Sequence, residues 1–189
     1  KSNRIPFTRD HPYFRRFQEA SFDMVRLVAF SEGWLWGSRV YRDEAGKLQV
    51  DFTDFDTLLD LYRATGSEPY IRLAYHLPDC MTAKDPKTGK RALYGAPTDL
   101  GEWEWLMRRI VTHCNVERKL GIRYWVAMLN EADIPIGKGE ATWEPILDLY
   151  ARTARIVKEV DPKAKIGGPA TCGPLPGKTE GVSLARQKP

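Results

Sequence analysis

Asn130 and Glu131 close an apolar run, Tyr124-Trp-Val-Ala-Met-Leu, and are followed by Ala132-Asp133. The run is continuously apolar, has strand length and follows the turn residue Gly121, so it reads as a buried parallel strand that delivers an amide and a carboxylic acid to its carboxyl end. In α/β architectures ligands bind at that end, because the loops after the strands converge there. An acid in such a place is a candidate for proton transfer. The competing use is structural, with Asn130 or Asp133 capping the next helix; Pro135, Gly137 and Gly139 argue instead for a delayed helix that leaves the acid in a loop. A second apolar run, Pro69 to Tyr75, delivers His76 to its own end. His76 and Cys80 share a turn, but two ligands do not make a zinc site, so no metal is expected. His113 falls on a helix and reads as exposed or half-buried.

The elements that must position these groups follow from periodicity. Asp10-His11-Pro12 starts a first helix with Phe14, Phe17 and Ala20 as its stripe, and Phe22 to Phe30 forms a strand. A loop from Ser31 to about Phe52 carries Glu32, Trp34, Trp36 and a turn at Glu44-Ala-Gly46. Thr53 opens a helix with Phe55, Leu58, Leu59 and Tyr62 on one side, closed by Gly66. After the strand ending at His76 a long loop runs to about Thr98, a length that marks a wall of a binding site. Asp99 and Glu102 form a capping box for a helix whose Trp103, Leu106, Ile110 and Cys114 share a face. After the central strand comes a helix from Thr142, with Pro145 tolerated in its first turn and Asp161-Pro162 ending it. Lys165 to Ala170 is one more strand end, and residues 176–189 form an irregular polar tail.

Strands alternate with helices at a spacing of roughly 40 to 55 residues, which indicates parallel βαβ construction. No GxGxxG follows a strand, so the (β/α)-barrel is preferred over a dinucleotide-binding sheet. A whole barrel needs about 250 residues. Residues 1–175 are therefore expected to form a partial (β/α)8 TIM barrel of about four to five parallel strands with helices outside. The net charge of +4 is spread without a basic run, which gives no reason to expect nucleic acid. No apolar run is long enough for a membrane span, so no membrane partner is expected; the compartment is left open between cytoplasm and secretion after loss of a signal peptide. Three cysteines without a CxxC pair predict thiols rather than disulfides. The two edges of a cut barrel predict self-association.

At Leu129-Asn-Glu-Ala-Asp133, Trp143-Glu-Pro-Ile-Leu-Asp-Leu-Tyr150 and Val160-Asp-Pro-Lys-Ala-Lys-Ile-Gly-Gly-Pro-Ala170 the sequence resembles the retaining glycoside hydrolases of clan A, and most of all glycoside hydrolase family 39, the β-xylosidases and α-L-iduronidases. Met24-Val-Arg-Leu, Tyr41-Arg-Asp-Glu-Ala-Gly46 and Leu93-Tyr-Gly-Ala-Pro-Thr-Asp agree with it. The resemblance covers the chain to about Pro174 and implies a carbohydrate substrate, no cofactor, and Glu131 as general acid/base on O-glycosidic bonds. Asn130 would then donate to the sugar 2-hydroxyl and His76 to another hydroxyl, while Trp34 or Trp36 presents an aromatic face to the pyranose. Trp125 and its neighbours would supply the apolar wall that raises the pKa of the acid. Ala132 departs from the proline of the family, and Leu27-Val28-Ala29 lacks a histidine often found there. The family's nucleophile comes from a seventh strand that this chain is not expected to reach, and Glu180, in the polar tail, is not assigned that part. The alternatives are a non-catalytic carbohydrate-binding or degenerate barrel and, further off, a phosphate-binding enzyme using Gly167-Gly168.

Overall fold

In a computed structural model, residues 9–30, 37–84, 86–127, 129–168 and 170–172 are described. Four strands, β1 (Met24–Phe30), β4 (Glu68–Ala74), β5 (Tyr124–Val126) and β6 (Lys165–Gly167), form one parallel sheet in sequence order. Consecutive pairing without reversal is the winding of a barrel wall and differs from that of a doubly wound sheet, whose order reverses at a switch point. The register sets the faces. Tyr70, Tyr124 and Lys165 lie side by side, as do Val28, Arg72, Val126 and Gly167 one step further along.

Because side chains alternate along a strand, Leu27, Ile71, Leu73 and Trp125 point to the other face, where the helices lie. There α2 (Thr53–Arg63) buries Phe55, Leu58 and Leu59, α3 (Leu100–Val111) buries Trp103, Leu106 and Ile110, and α5 (Trp143–Val160) buries Ile146, Leu149 and Val157. The apolar stripes expected for α2 and α3 lie on the buried side, with Tyr62 packed half-buried at the edge of the core. Between α3 and α5, Trp103 donates its indole N–H to Thr153 Oγ1 at 3.0 Å with both residues fully buried. The helix α1 (Pro12–Ala20) begins after His11, whose Nδ1 accepts from the amide of Tyr13, and packs Phe14 against Leu61.

Several local expectations are revised. The segment expected as a loop before α2 contains an antiparallel hairpin, β2 (Arg39–Arg42) with β3 (Leu48–Asp51), closed by the predicted turn in which Gly46 has φ +78°. Asp43 builds that turn by accepting from the amides of Ala45 and Lys47. Gly37 passes so close to β1 that a Cβ would meet Val28 O at 3.0 Å, so a side chain there would press on the strand backbone. The capping box of α3 is half formed. Asp99 accepts from Glu102 N at 3.0 Å, but the Glu102 carboxylate turns to Arg42 of the hairpin in a bidentate pair at 2.7 and 2.6 Å. A short helix, α4 (Asp133–Gly137), starts two residues after Glu131 despite Pro135 and Gly137. His113 is buried: α3 runs into a π-helical turn (Thr112–Glu117), where the ring stacks on Phe52 at 3.8 Å with Nε2 2.8 Å from Asp56. The proposed boundary near residue 175 and the polar tail lie outside the described residues. No helix is long and apolar enough to cross a membrane among the described residues, and no disulfide joins Cys80, Cys114 and Cys172.

Candidate active site

The four parallel strands end side by side, and backbone bonds continue past them in a row. Tyr75 N reaches Phe30 O at 3.4 Å, Asn130 N reaches Tyr75 O at 2.9 Å, and Glu131 N reaches Ala170 O at 2.8 Å. The segments after β1, β4, β5 and β6 are thereby brought to one edge. At this edge Glu131 adopts φ +50°, a left-handed conformation that costs a side-chain-bearing residue about 1–2 kcal/mol. Its carbonyl accepts from Ile134 N at 3.1 Å at the start of α4, so the strained residue is pinned through both its N–H and its C=O. Asp133, buried on α4, accepts from Cys172 N at 3.0 and 3.1 Å and ties α4 to the segment after β6.

The loop after β4, expected to wall a binding site, folds back against the end of β5 and supplies none of the described residues that line the cavity beside Glu131. It is held by Leu77 N to Leu93 O (3.0 Å), Thr98 N to Met81 O (2.8 Å) and a bridge between Lys84 and Arg91. From it Tyr94 donates its hydroxyl to Asn130 O at 2.8 Å and meets the His76 ring edge to face at 5.2 Å. Burial, with help from Tyr75 and Glu131, pushes the Tyr94 hydroxyl up to about 12, so it stays a neutral donor. Burial also lowers the pKa of His76 and favours the uncharged ring.

A cavity of about 360 Å³ opens on the face of the sheet away from the helices. Arg26, Tyr70, Arg72 and Val126 line it from the strands, and Asn130 and Glu131 from the end of β5. Among the described lining residues Glu131 is the single carboxylate. Asn130 is buried beside it, and Arg26 and Arg72 supply two cations. An acid, an amide and cations on one polar cavity can bind a hydroxylated ligand and exchange a proton with it.

Of the sequence-derived site residues, Asn130 and Glu131 meet in this cavity. His76 lies next to them at the strand edge, between Tyr75 and Tyr94, and is not among the lining residues. Trp125 is one position before Val126, so it faces the helices, where its indole N–H donates to Ile122 O at 3.1 Å; it gives the acid no wall. Asp79 is on the surface, 4.0 Å from Arg91. Trp34, Trp36, Glu32 and Glu180 lie outside the described residues. Among the described residues no group of three or more His, Cys, Asp or Glu is placed to hold a metal. Sequence reasoning passed over Arg26, Tyr70 and Arg72. The available signal was a cation inside each of two apolar strands, Val-Arg-Leu and Ile-Arg-Leu, on the face that Val126 also occupies.

The chain is 29% identical to a beta-xylosidase of Geobacillus stearothermophilus over 174 residues, covering 82% of this chain and 34% of that protein. It is 28% identical to a beta-xylosidase of Caldicellulosiruptor saccharolyticus over 160 residues, covering 81% and 31%. The chain thus spans about a third of the length of these relatives. The crystal structure of the GH39 enzyme from Xanthomonas axonopodis pv. citri superposes with a TM-score of 0.63 at 25% identity, over 84% of this chain and 31% of that one. The four-stranded wall with its outer helices is accordingly part of a (β/α) barrel. The family model for glycosyl hydrolases family 39 matches residues 8–176, and the chain belongs to that family.

Proposed function

We propose that the cavity holds the sugar of a retaining, β-xylosidase-like O-glycosidase and that Glu131 is its general acid/base. The observation that carries this reading is the placement of Glu131. It is the carboxylate on the described cavity lining, it follows the carboxyl end of a parallel strand, and its backbone is held in a conformation a glutamate adopts only under constraint. In the first step Glu131 would give its proton to the glycosidic oxygen as that oxygen's bond to the anomeric carbon breaks and an opposing carboxylate bonds to the carbon. In the second, the Glu131 carboxylate would take a proton from water as the water oxygen attacks the same carbon and displaces that opposing carboxylate. Asn130, buried and next in sequence, would donate to the 2-hydroxyl. Its carbonyl, locked by Tyr94, fixes the backbone from which the amide projects.

Retention requires a second carboxylate about 5 to 5.5 Å from the first, to form and release the glycosyl intermediate. None of the other described lining residues is an acid. We therefore expect the 189-residue chain to bind sugar without useful turnover, with catalysis appearing only in a polypeptide that completes the barrel. The same single-acid lining favours, as the second reading, a non-catalytic carbohydrate-binding barrel. Hydrolysis of an aryl β-xyloside by the completed polypeptide separates the two. The glycosidase reading expects activity that is lost in Glu131→Gln and partly restored by azide in Glu131→Ala. An active completed protein that is indifferent to Glu131→Gln would remove Glu131 from the mechanism, and an inactive one that still binds xylosides would leave the binding role.

A further inference from the structure

The main-chain N–H and C=O groups of Asn130 and Glu131 are all held. Asn130 N donates to Tyr75 O at 2.9 Å, Glu131 N donates to Ala170 O at 2.8 Å, and Glu131 O accepts from Ile134 N at 3.1 Å, so these three are satisfied by other main-chain groups. The fourth, Asn130 O, is satisfied by a side chain, the Tyr94 hydroxyl at 2.8 Å. A planar peptide turns as a unit, and turning the one that joins Asn130 to Glu131 changes φ of residue 131. Its two ends are pinned, the C=O by Tyr94 and the N–H by Ala170, in the orientation that gives Glu131 φ +50°. Half a turn would carry φ to about −130°, an extended value without the left-handed cost, so the strain at Glu131 pulls against these two pins.

We propose that Tyr94 is a positioning residue whose hydroxyl holds the Asn130–Glu131 peptide in the plane that aims Glu131 into the cavity, a role that rests on Glu131 being the acid/base. Tyr94 is not among the described lining residues, so it acts through the peptide and not on the ligand. Its ring is backed by aromatic neighbours. It meets His76 edge to face at 5.2 Å, and His76 meets Tyr75 in the same way at 4.5 Å, so an aromatic row leads from the end of β4 to the hydroxyl. The bond from Leu77 N to Leu93 O closes the loop one residue before Tyr94. Burial, with help from Tyr75 and Glu131, keeps the phenol protonated, so the donor persists across the range in which a carboxyl titrates. Of the pins around Glu131 it is the one that a single side-chain substitution removes.

The test has a structural and a kinetic arm. NMR of the 189-residue chain reads the backbone of residue 131 from its Cα and Cβ shifts and φ-dependent couplings, in the wild type and in Tyr94→Phe. The wild type is expected to show positive φ at Glu131 and a slowly exchanging Tyr94 hydroxyl proton. Tyr94→Phe is expected to move residue 131 toward negative φ while the shifts of α2 and α3 hold. In a polypeptide that completes the barrel, kcat/KM is measured on a phenyl β-xyloside, whose poor leaving group needs the proton, and on a dinitrophenyl β-xyloside, whose leaving group does not. A misplaced acid predicts that Tyr94→Phe loses about ten- to a hundredfold on the first and less than about threefold on the second, whereas a fold defect lowers both alike. Positive φ retained at residue 131 in Tyr94→Phe overturns the proposal, and so does a wild-type Tyr94 hydroxyl in fast exchange with water, which needs no variant to fold. Equal losses on the two substrates, or none on either, overturn it as well. The glycosidase reading fails separately: hydrolysis unaffected by Glu131→Gln, with φ of residue 131 still released in Tyr94→Phe, removes the acid/base and keeps the hold of Tyr94 on the peptide.

Discussion

The left-handed backbone at Glu131 makes a prediction in which stability and chemistry part company. Glu131→Gly and Glu131→Ala both remove the carboxylate, so any loss of side-chain contacts is common to the two. They differ in the Cβ. At φ +50° that atom costs about 1–2 kcal/mol, which glycine escapes. Against it stands the extra freedom of glycine in the unfolded chain, about 0.4–1 kcal/mol. At the middle of these ranges the balance leaves the glycine variant more stable than the alanine variant by about 0.8 kcal/mol. For a chain of 189 residues that is a Tm difference of about 1–4 °C. Urea unfolding of the two variants, compared at equal m-value, measures it directly. A glycine variant no more stable than the alanine variant would refute the claim that residue 131 is held under strain, and with it the argument that position 131 is selected for the acid and not for the fold.

Three further outcomes are expected of the site and its supports. Tyr94→Phe leaves the buried Asn130 carbonyl without its donor and should cost about 1–3 kcal/mol in chemical denaturation, with most of the effect absent if a backbone amide takes the place of the hydroxyl. Burial depresses the folded pKa of His76 below the unfolded value of about 6.5, so the unfolded chain binds the proton more readily; stability should fall as pH drops through that value, and His76→Phe should flatten this part of the pH–Tm curve. Asp51 accepts from the amide and hydroxyl of Thr53, which lowers its pKa; its contribution is present above about pH 4 and lost in acid, so Asp51→Ala should destabilise more at about pH 7 than at about pH 2, as read by thermal melts at both.

Most of the scaffold was legible because its signals are local and long. The helices α2, α3 and α5 each carry several turns of apolar spacing, and the buried faces are those the spacing marks. The hairpin escaped because β2 and β3 are four residues each with one fully buried side chain apiece, Val40 and Leu48, and a period of two cannot be read from a single residue. His113 was misjudged because its burial is made by groups far away in sequence: Phe52 stacks on it and Asp56 receives its Nε2. Trp125 was given the wrong face because the parity of β5 is fixed only by pairing, with Trp125 opposite Ile71 and Val126 opposite Arg72. The same parity hid Arg26 and Arg72, since a cation on an apolar strand is informative only when one knows which face it shares with the acid.

The π-helical turn after α3 bears on which changes of chain length this protein tolerates. Arg118 N reaches back five residues to His113 O, so the turn holds one residue more than a regular α-helical turn. That surplus sets the direction of Asn115, whose side chain accepts from Ile122 N at 2.8 Å and donates to Ile122 O at 2.9 Å and to Asp161 at 2.7 Å. The amide acts as a stand-in strand for the backbone just before β5. Deleting one residue between 112 and 114 would allow an ordinary helix to form and, where that helix keeps its upstream phase, would turn Asn115 by about 100° away from its three contacts. The three-residue strand that delivers Asn130 and Glu131 would then lose the clamp at its entrance. Substitution in this turn is a matter of side chains, whereas deletion is a change of phase, and its effect would surface at the opposite end of the strand, where the acid is held.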